Sequence, residues 1–127
     1  MIKVVGLGPG HKDYIIPMAT EAIKEATVII GYHYYFQFIE HLISDDILRI
    51  GKELSEEEKR AEIAVAYALK GEKVVVIGSG DASIYAMASL VYERVAKDAL
   101  DIPVETVPGI SAFITAGSKL GAILGHD

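Results

Sequence analysis

Cysteine is absent from the chain, which removes disulfides and thiolate metal sites and leaves redox chemistry silent about compartment. Proline occurs only 4 times, too seldom for a fibrous or low-complexity chain. Positive charge is scarce as well: 12 Lys and Arg are scattered among 18 Asp and Glu, for a formal net charge of −6. Tracking nucleic-acid phosphates requires clustered cations, so no nucleic-acid partner is expected. No stretch approaches the roughly 20 apolar residues of a spanning helix. The first residues carry one Lys and no apolar run of signal-peptide length, so a cytoplasmic protein with no membrane partner is expected. His11, His33, His41 and His126 lack metal-ligand spacing, and no protein metal site is expected. What is present is a chain of 127 residues, 51% hydrophobic and 24% charged. That is one domain, able to bury about two-thirds of its unfolded surface.

Ile2 to Val5 is a short aliphatic run ended by glycine, as in a buried parallel strand. Pro17 to Ala26 opens with a tolerated proline and is rich in helix formers. Thr27 to Ile30 predicts a second strand closed by Gly31, and Phe36, Ile39, Leu42 and Ile43 then fall at helical spacing. Ile47 to Ile50 adds a brief extended segment. Ser55 and Glu58 have capping-box spacing, ahead of a helix stopped by Gly71. Lys73 to Ile77, a helix over Ser83 to Ala96, a strand over Pro103 to Val107 and a helix over Ser111 to Leu120 complete the order. The alternation predicts an α/β fold: an open, mostly parallel sheet of about five strands with helices on both faces.

Ligands of such sheets sit at the carboxyl ends of the strands. Three of those ends carry small or turn-forming residues here: "GLGPG", "GSGDASIY" and "PGISA". The first does not suit a dinucleotide, because His11 stands at the third fingerprint glycine and no acidic residue ends the second strand. The Walker pattern fails at His11 and Asp13, and Pro9 lacks an N–H with which to cradle phosphate. A cofactor without phosphates fits better. S-adenosylmethionine, with its adenosine, sulfonium and amino-acid end, meets that specification.

Taken together, the three loops resemble the tetrapyrrole methylase family. "VIIGYHYY", "ELSEEEKRAEIAVAYALKGEKVVVIGSGDASIYAMASLVYE" and "VPGISAFITAGSKLGAILGHD" look most like its precorrin-3B C(17)-methyltransferase members. Ser83 and Ala86 stand where that subfamily usually has glycine, a departure that bears on fine specificity rather than on fold. The resemblance covers essentially the whole chain. It implies methylation of a precorrin or cobalt-precorrin at ring carbon 17 with ring contraction, on the route to cobalamin, with S-adenosylmethionine as donor. It also implies a homodimer, and that residues 1–127 are the N-terminal domain of a two-domain enzyme. The missing C-terminal half would then be a partner, and the isolated domain inactive. Another tetrapyrrole methylase, a diphthine synthase and a non-catalytic nucleotide-binding module are the alternatives.

Gly8, Pro9 and Gly10, with Gly6, form either a side-chain-free ligand wall or an ordinary turn. Asp81 either orients the ligand or caps the following helix. The resemblance puts Pro9, Ser79, Gly80, Asp81 and Ile84 at the cofactor, with Tyr85 and Met87 nearby, where a core role competes for both. It puts Ser111 and Ala112 at the adenosine end, with helix capping as the other reading of Ser111. The aromatics of "GYHYYFQF" could stack on a macrocycle or simply fill the core, and "ELSEEEKR" reads mostly as a solvated helix face. Methyl transfer from a sulfonium requires donor and acceptor held in line about 3 to 3.5 Å apart, with water excluded. Few catalytic side chains are needed; by position, His11, Asp13 and Asp81 are the candidate acids or bases.

Overall fold

Valine and isoleucine runs without polar alternation need burial on both faces. The chain provides it with five parallel strands, β1 (Ile2–Gly6), β2 (Val28–Tyr32), β3 (Leu48–Lys52), β4 (Val74–Gly78) and β5 (Val104–Val107), in the order β3-β2-β4-β1-β5. The computed structural model describes residues 1–83 and 87–121. Alternate strand residues feed two cores. Ile2, Val4, Val28, Ile30, Val74 and Val76 pack on one face against α2 (Glu57–Leu69) and α3 (Ala88–Lys97). Val5, Ile29, Val75 and Ile77 pack on the other against α1 (Pro17–Glu25). α4 (Ala112–Leu120) follows β5. The open parallel sheet with helices on both faces is as the sequence predicts.

Several local expectations are corrected. The aromatic segment is not one α-helix but two 3₁₀ turns, His33–Phe38 and Glu40–Leu42. Phe36, Ile39 and Leu42 recur every three residues, which suits the 3₁₀ repeat as well as the α repeat. Ile39 N–H donates to Phe36 O and Leu42 N–H to Ile39 O, so tertiary packing selects the tighter form. The capping box does not form. α2 begins after Glu56, so its third residue is Lys59 rather than Glu58, and the Glu56 carboxylate accepts from the Glu53 amide instead. Its other end is as expected: Gly71, at φ +85°, donates to Ala68 O while Glu72 donates to Tyr67 O, a Schellman cap. α3 starts at Ala88, not Ser83, because Asp81 draws Ser83 back into a turn before the helix begins. Arg60, within the charged run read as solvated, is only 4% exposed.

Two features of the sheet place the site. First, β1 leads to α1 on one face whereas its neighbour β4 leads to α3 on the other, so a crevice opens between their carboxyl ends. Second, β2 pairs with β4 only as far as Ile30 opposite Val76, while β1 and β4 stay paired to Gly6 opposite Gly78. A Cβ on Gly31 would run into the Ile77 side chain, so glycine is what allows β2 and β4 to lie close just where their pairing ends.

Core burial sets the stability expectations. Ile29 is fully buried in β2, whereas Leu69, at the end of α2, is 62% exposed. Ile29→Ala should cost about 2–5 kcal/mol and Leu69→Ala less than about 0.5 kcal/mol. Urea denaturation of the two variants checks the contrast.

Candidate functional site

Three strand-end loops meet at the crevice, backbone against backbone. Gly8 and Gly80 exchange hydrogen bonds, Gly8 N–H to Gly80 O at 3.1 Å and Gly80 N–H to Gly8 O at 2.8 Å. Side chains would prevent this approach. A Cβ on Gly6 would lie 2.5 Å from Gly80 O and 2.8 Å from Ala82 N, and one on Gly109 would collide with Gly80 O and the Gly6 carbonyl. Gly8 and Gly80 also hold φ at +79° and +63°, where a side chain is strained.

Asp81 ties the second loop to the third. Its Oδ1 accepts from Gly109 N–H at 2.8 Å, and its Oδ2 accepts from the amide and the hydroxyl of Ser83. Partial burial pushes the carboxyl up. The hydrogen bonds from the Ser83 hydroxyl and from the Gly109, Ser83 and Ala82 amides outweigh that effect and hold it below the usual carboxylate range. Asp81 is therefore anionic, and it caps a turn rather than a helix.

The loops enclose an open cleft of about 570 Å³. Of the residues singled out in the sequence, Gly8, Pro9, Gly10, Ser79, Gly80, Asp81, Ser111 and Ala112 all line it. Ser111 occupies the N-cap position of α4, but its hydroxyl makes no capping bond. Ile84 and Tyr85 lie outside the described residues. His11 and Asp13 sit on an exposed turn and are not among the lining residues. His11 Nδ1 accepts from the Asp13 amide at 3.1 Å. The same nitrogen lies 3.5 Å from the Asp13 carboxylate.

Tyr34, Tyr35 and Phe38 form one wall and Phe113 closes the α4 side. The first three belong to the aromatic run, whose composition signalled them without saying which would face the cleft. Tyr32 packs against two of them, 5.1 Å edge-on to Tyr35 and 6.2 Å stacked with Tyr34, and the Tyr35 hydroxyl donates to Ser79 Oγ at 3.2 Å. Phe113 had no signal beyond an apolar residue next to Ala112. Among the described lining residues Asp81 is the one charged side chain, and Lys and Arg do not occur. Such a cleft suits a cationic ligand with flat apolar parts and disfavours phosphate. No cluster of metal-ligating side chains exists among the described residues, and no described helix is long and apolar enough to cross a membrane.

Comparison with known proteins agrees with this geometry. The family profile described as Tetrapyrrole (Corrin/Porphyrin) Methylases matches residues 1–127. A Salmonella typhimurium protein named "Probable cobalt-factor III C(17)-methyltransferase" is 39% identical over 128 residues, covering 100% of this chain and 52% of the relative. A "Precorrin-3B C(17)-methyltransferase" of a Sinorhizobium species is 33% identical over 130 residues, covering 99% of this chain and 50% of its own. Among solved structures, that of the methyltransferase CobJ superposes with a TM-score of 0.87 at 34% identity, over 99% of this chain and 53% of that one. The chain thus spans about half the length of these relatives.

The Asp81 bonds imply a pH dependence. A carboxyl held low in the folded state stabilises the fold above its unfolded pKa, and that contribution disappears as pH falls through the folded pKa. Wild type should therefore be more stable than Asp81→Asn at neutral pH, with the gap closing only in acid below the usual carboxylate range. Thermal melts of both proteins across pH measure it.

Proposed function

The chain belongs to the tetrapyrrole (corrin/porphyrin) methylases, and on that premise we propose that it forms the donor-binding half of a cobalamin-pathway C(17)-methyltransferase. Its substrate would be cobalt-factor III or precorrin-3B, methylated with ring contraction. The observation that carries this reading is the cleft: three glycine-bearing loops around a single carboxylate, with aromatic walls and no cation among the described lining residues.

S-adenosylmethionine, when bound, supplies an electrophilic methyl group on a cationic sulfur. The residues present fit it. The loops at Gly8–Gly10 and Ser79–Asp81 bring glycine main chain to the cleft, and Asp81 contributes negative charge that favours a cation. Tyr34, Tyr35, Phe38 and Phe113 offer flat surfaces to an adenine or to a macrocycle edge. Ser111 and Ala112 present the first turn of α4, and the uncommitted Ser111 hydroxyl can bond a nucleoside. The arrangement would bind and orient the donor, and among the described lining residues it presents no paired acid and base. That agrees with a transfer accelerated by positioning. In the whole enzyme a second half, of the kind the longer relatives carry, would close the cleft around the tetrapyrrole, and pairing of two copies follows the resemblance.

The test is transfer of labelled methyl from S-adenosylmethionine to cobalt-factor III or precorrin-3B by the full-length protein, with Ala112→Trp as a blocked cleft. Ala112 is exposed on the rim, so the bulky residue should leave the melting temperature within a few degrees while reducing transfer at least about a hundredfold. Product lacking a new C(17) methyl, or undiminished transfer by the variant, rules the reading out.

A further inference from the structure

We propose that Arg60 is a carboxylate-binding residue in a second compartment of the cleft, receiving an acidic arm of the bound ligand; the proposal rests on the functional reading above. Arg60 stands in the first turn of α2 and is nine-tenths buried. Its Nε has no hydrogen-bond partner among the described residues. The ion pair available to it is long: Nη2 lies 3.6 Å from Oε1 of Glu57, a side chain half exposed to solvent. The Nε of a guanidinium so placed is left unsatisfied, and a planar fork of donors is matched by a carboxylate.

The surroundings point the same way. Arg60 lines a pocket of about 170 Å³ whose other walls include Tyr35, Ser79 and Met87. Tyr35 and Ser79 also line the main cleft, and the hydrogen bond between them forms the partition. The two spaces flank the end of β4, where its pairing with β2 has already stopped. A volume of this size accepts a carboxymethyl or carboxyethyl arm but not a tetrapyrrole macrocycle. Two sources of such an arm meet at this site, a peripheral carboxylate of the tetrapyrrole and the amino-acid end of the methyl donor.

Calorimetry on the full-length protein separates them, using uroporphyrin III, S-adenosylhomocysteine and methylthioadenosine, the last of which keeps the nucleoside but has no carboxylate. Arg60→Gln should weaken the carboxylate-bearing ligand about tenfold or more, and Glu57→Gln, which removes a competing anion, should tighten it. A loss confined to uroporphyrin III assigns the arm to the tetrapyrrole. A loss for S-adenosylhomocysteine with methylthioadenosine unchanged assigns it to the donor. An equal loss for methylthioadenosine reports a damaged cleft and overturns the proposal, as do unchanged affinities for all three probes in both variants. If Arg60→Gln loses its cooperative melt, Glu57→Gln decides, and an absence of tightening overturns the proposal. A wild-type protein that binds none of the probes overturns the functional reading and this one with it.

Discussion

Main chain lying directly on main chain is the contact from which the rest of the molecule's chemistry follows. β1 and β4 are paired to their last residues, yet their continuations leave for opposite faces of the sheet. The loops that begin there must cross within a distance that no Cβ permits at two points, and Gly6 and Gly109 supply the vacancy. Once the loops touch, the reciprocal bonds between Gly8 and Gly80 and the Asp81 bridge to Gly109 fix them as a unit. A cleft floor built this way presents peptide groups in fixed directions, which longer side chains would not do.

That floor also determines which ligands the site can discriminate. With Asp81 as the one charge on the described lining, the electrostatic preference is for a cation. Phosphate would meet a carboxylate, and Pro9 gives it one amide fewer. The aromatic wall contributes shape and polarisability rather than charge, and Tyr32, behind it, limits how far Tyr34 and Tyr35 can turn. Any selectivity for a sulfonium-bearing nucleoside over a nucleotide would thus follow from what surrounds the glycines, not from the glycines themselves.

The parts of this architecture that were legible in the sequence are those with a short physical range. Runs such as Val74 to Ile77 read as buried strands, and the glycines that follow them mark the edge where the loops meet; their recurrence at three strand ends pointed to the convergence at Gly8, Gly80 and Ser111 around one cleft. Tertiary competition hid the remainder. Phe36, Ile39 and Leu42 satisfy two helical repeats equally, so spacing alone cannot choose between them. Ser55 and Glu58 have the right separation for a cap, but the helix begins beyond them. Ser83 looked like the interior of a helix start until the Asp81 side chain claimed its amide. Charge patterning put Arg60 in solvent, because nothing local distinguishes it from Lys59 beside it.

Arg60 is also where a purely structural account is weakest. The first turn of a helix carries positive partial charge, so a buried cation there is opposed both by desolvation and by the dipole. Glu57 and Glu58 lie in the same turn, yet Glu57 reaches the guanidinium only at long range and from an exposed position. An apolar residue would pack the underside of β4 with less penalty, as Ala64 does one turn further along. A cost of this kind, left standing beside a cavity that shares a wall with the main cleft, is the pattern of a group kept for a ligand. On the proposed reading, the carboxyl ends of β1, β4 and β2 would form one recognition edge: glycine and Asp81 on the donor side, Tyr35 and Ser79 in the middle, and a buried cation beyond them.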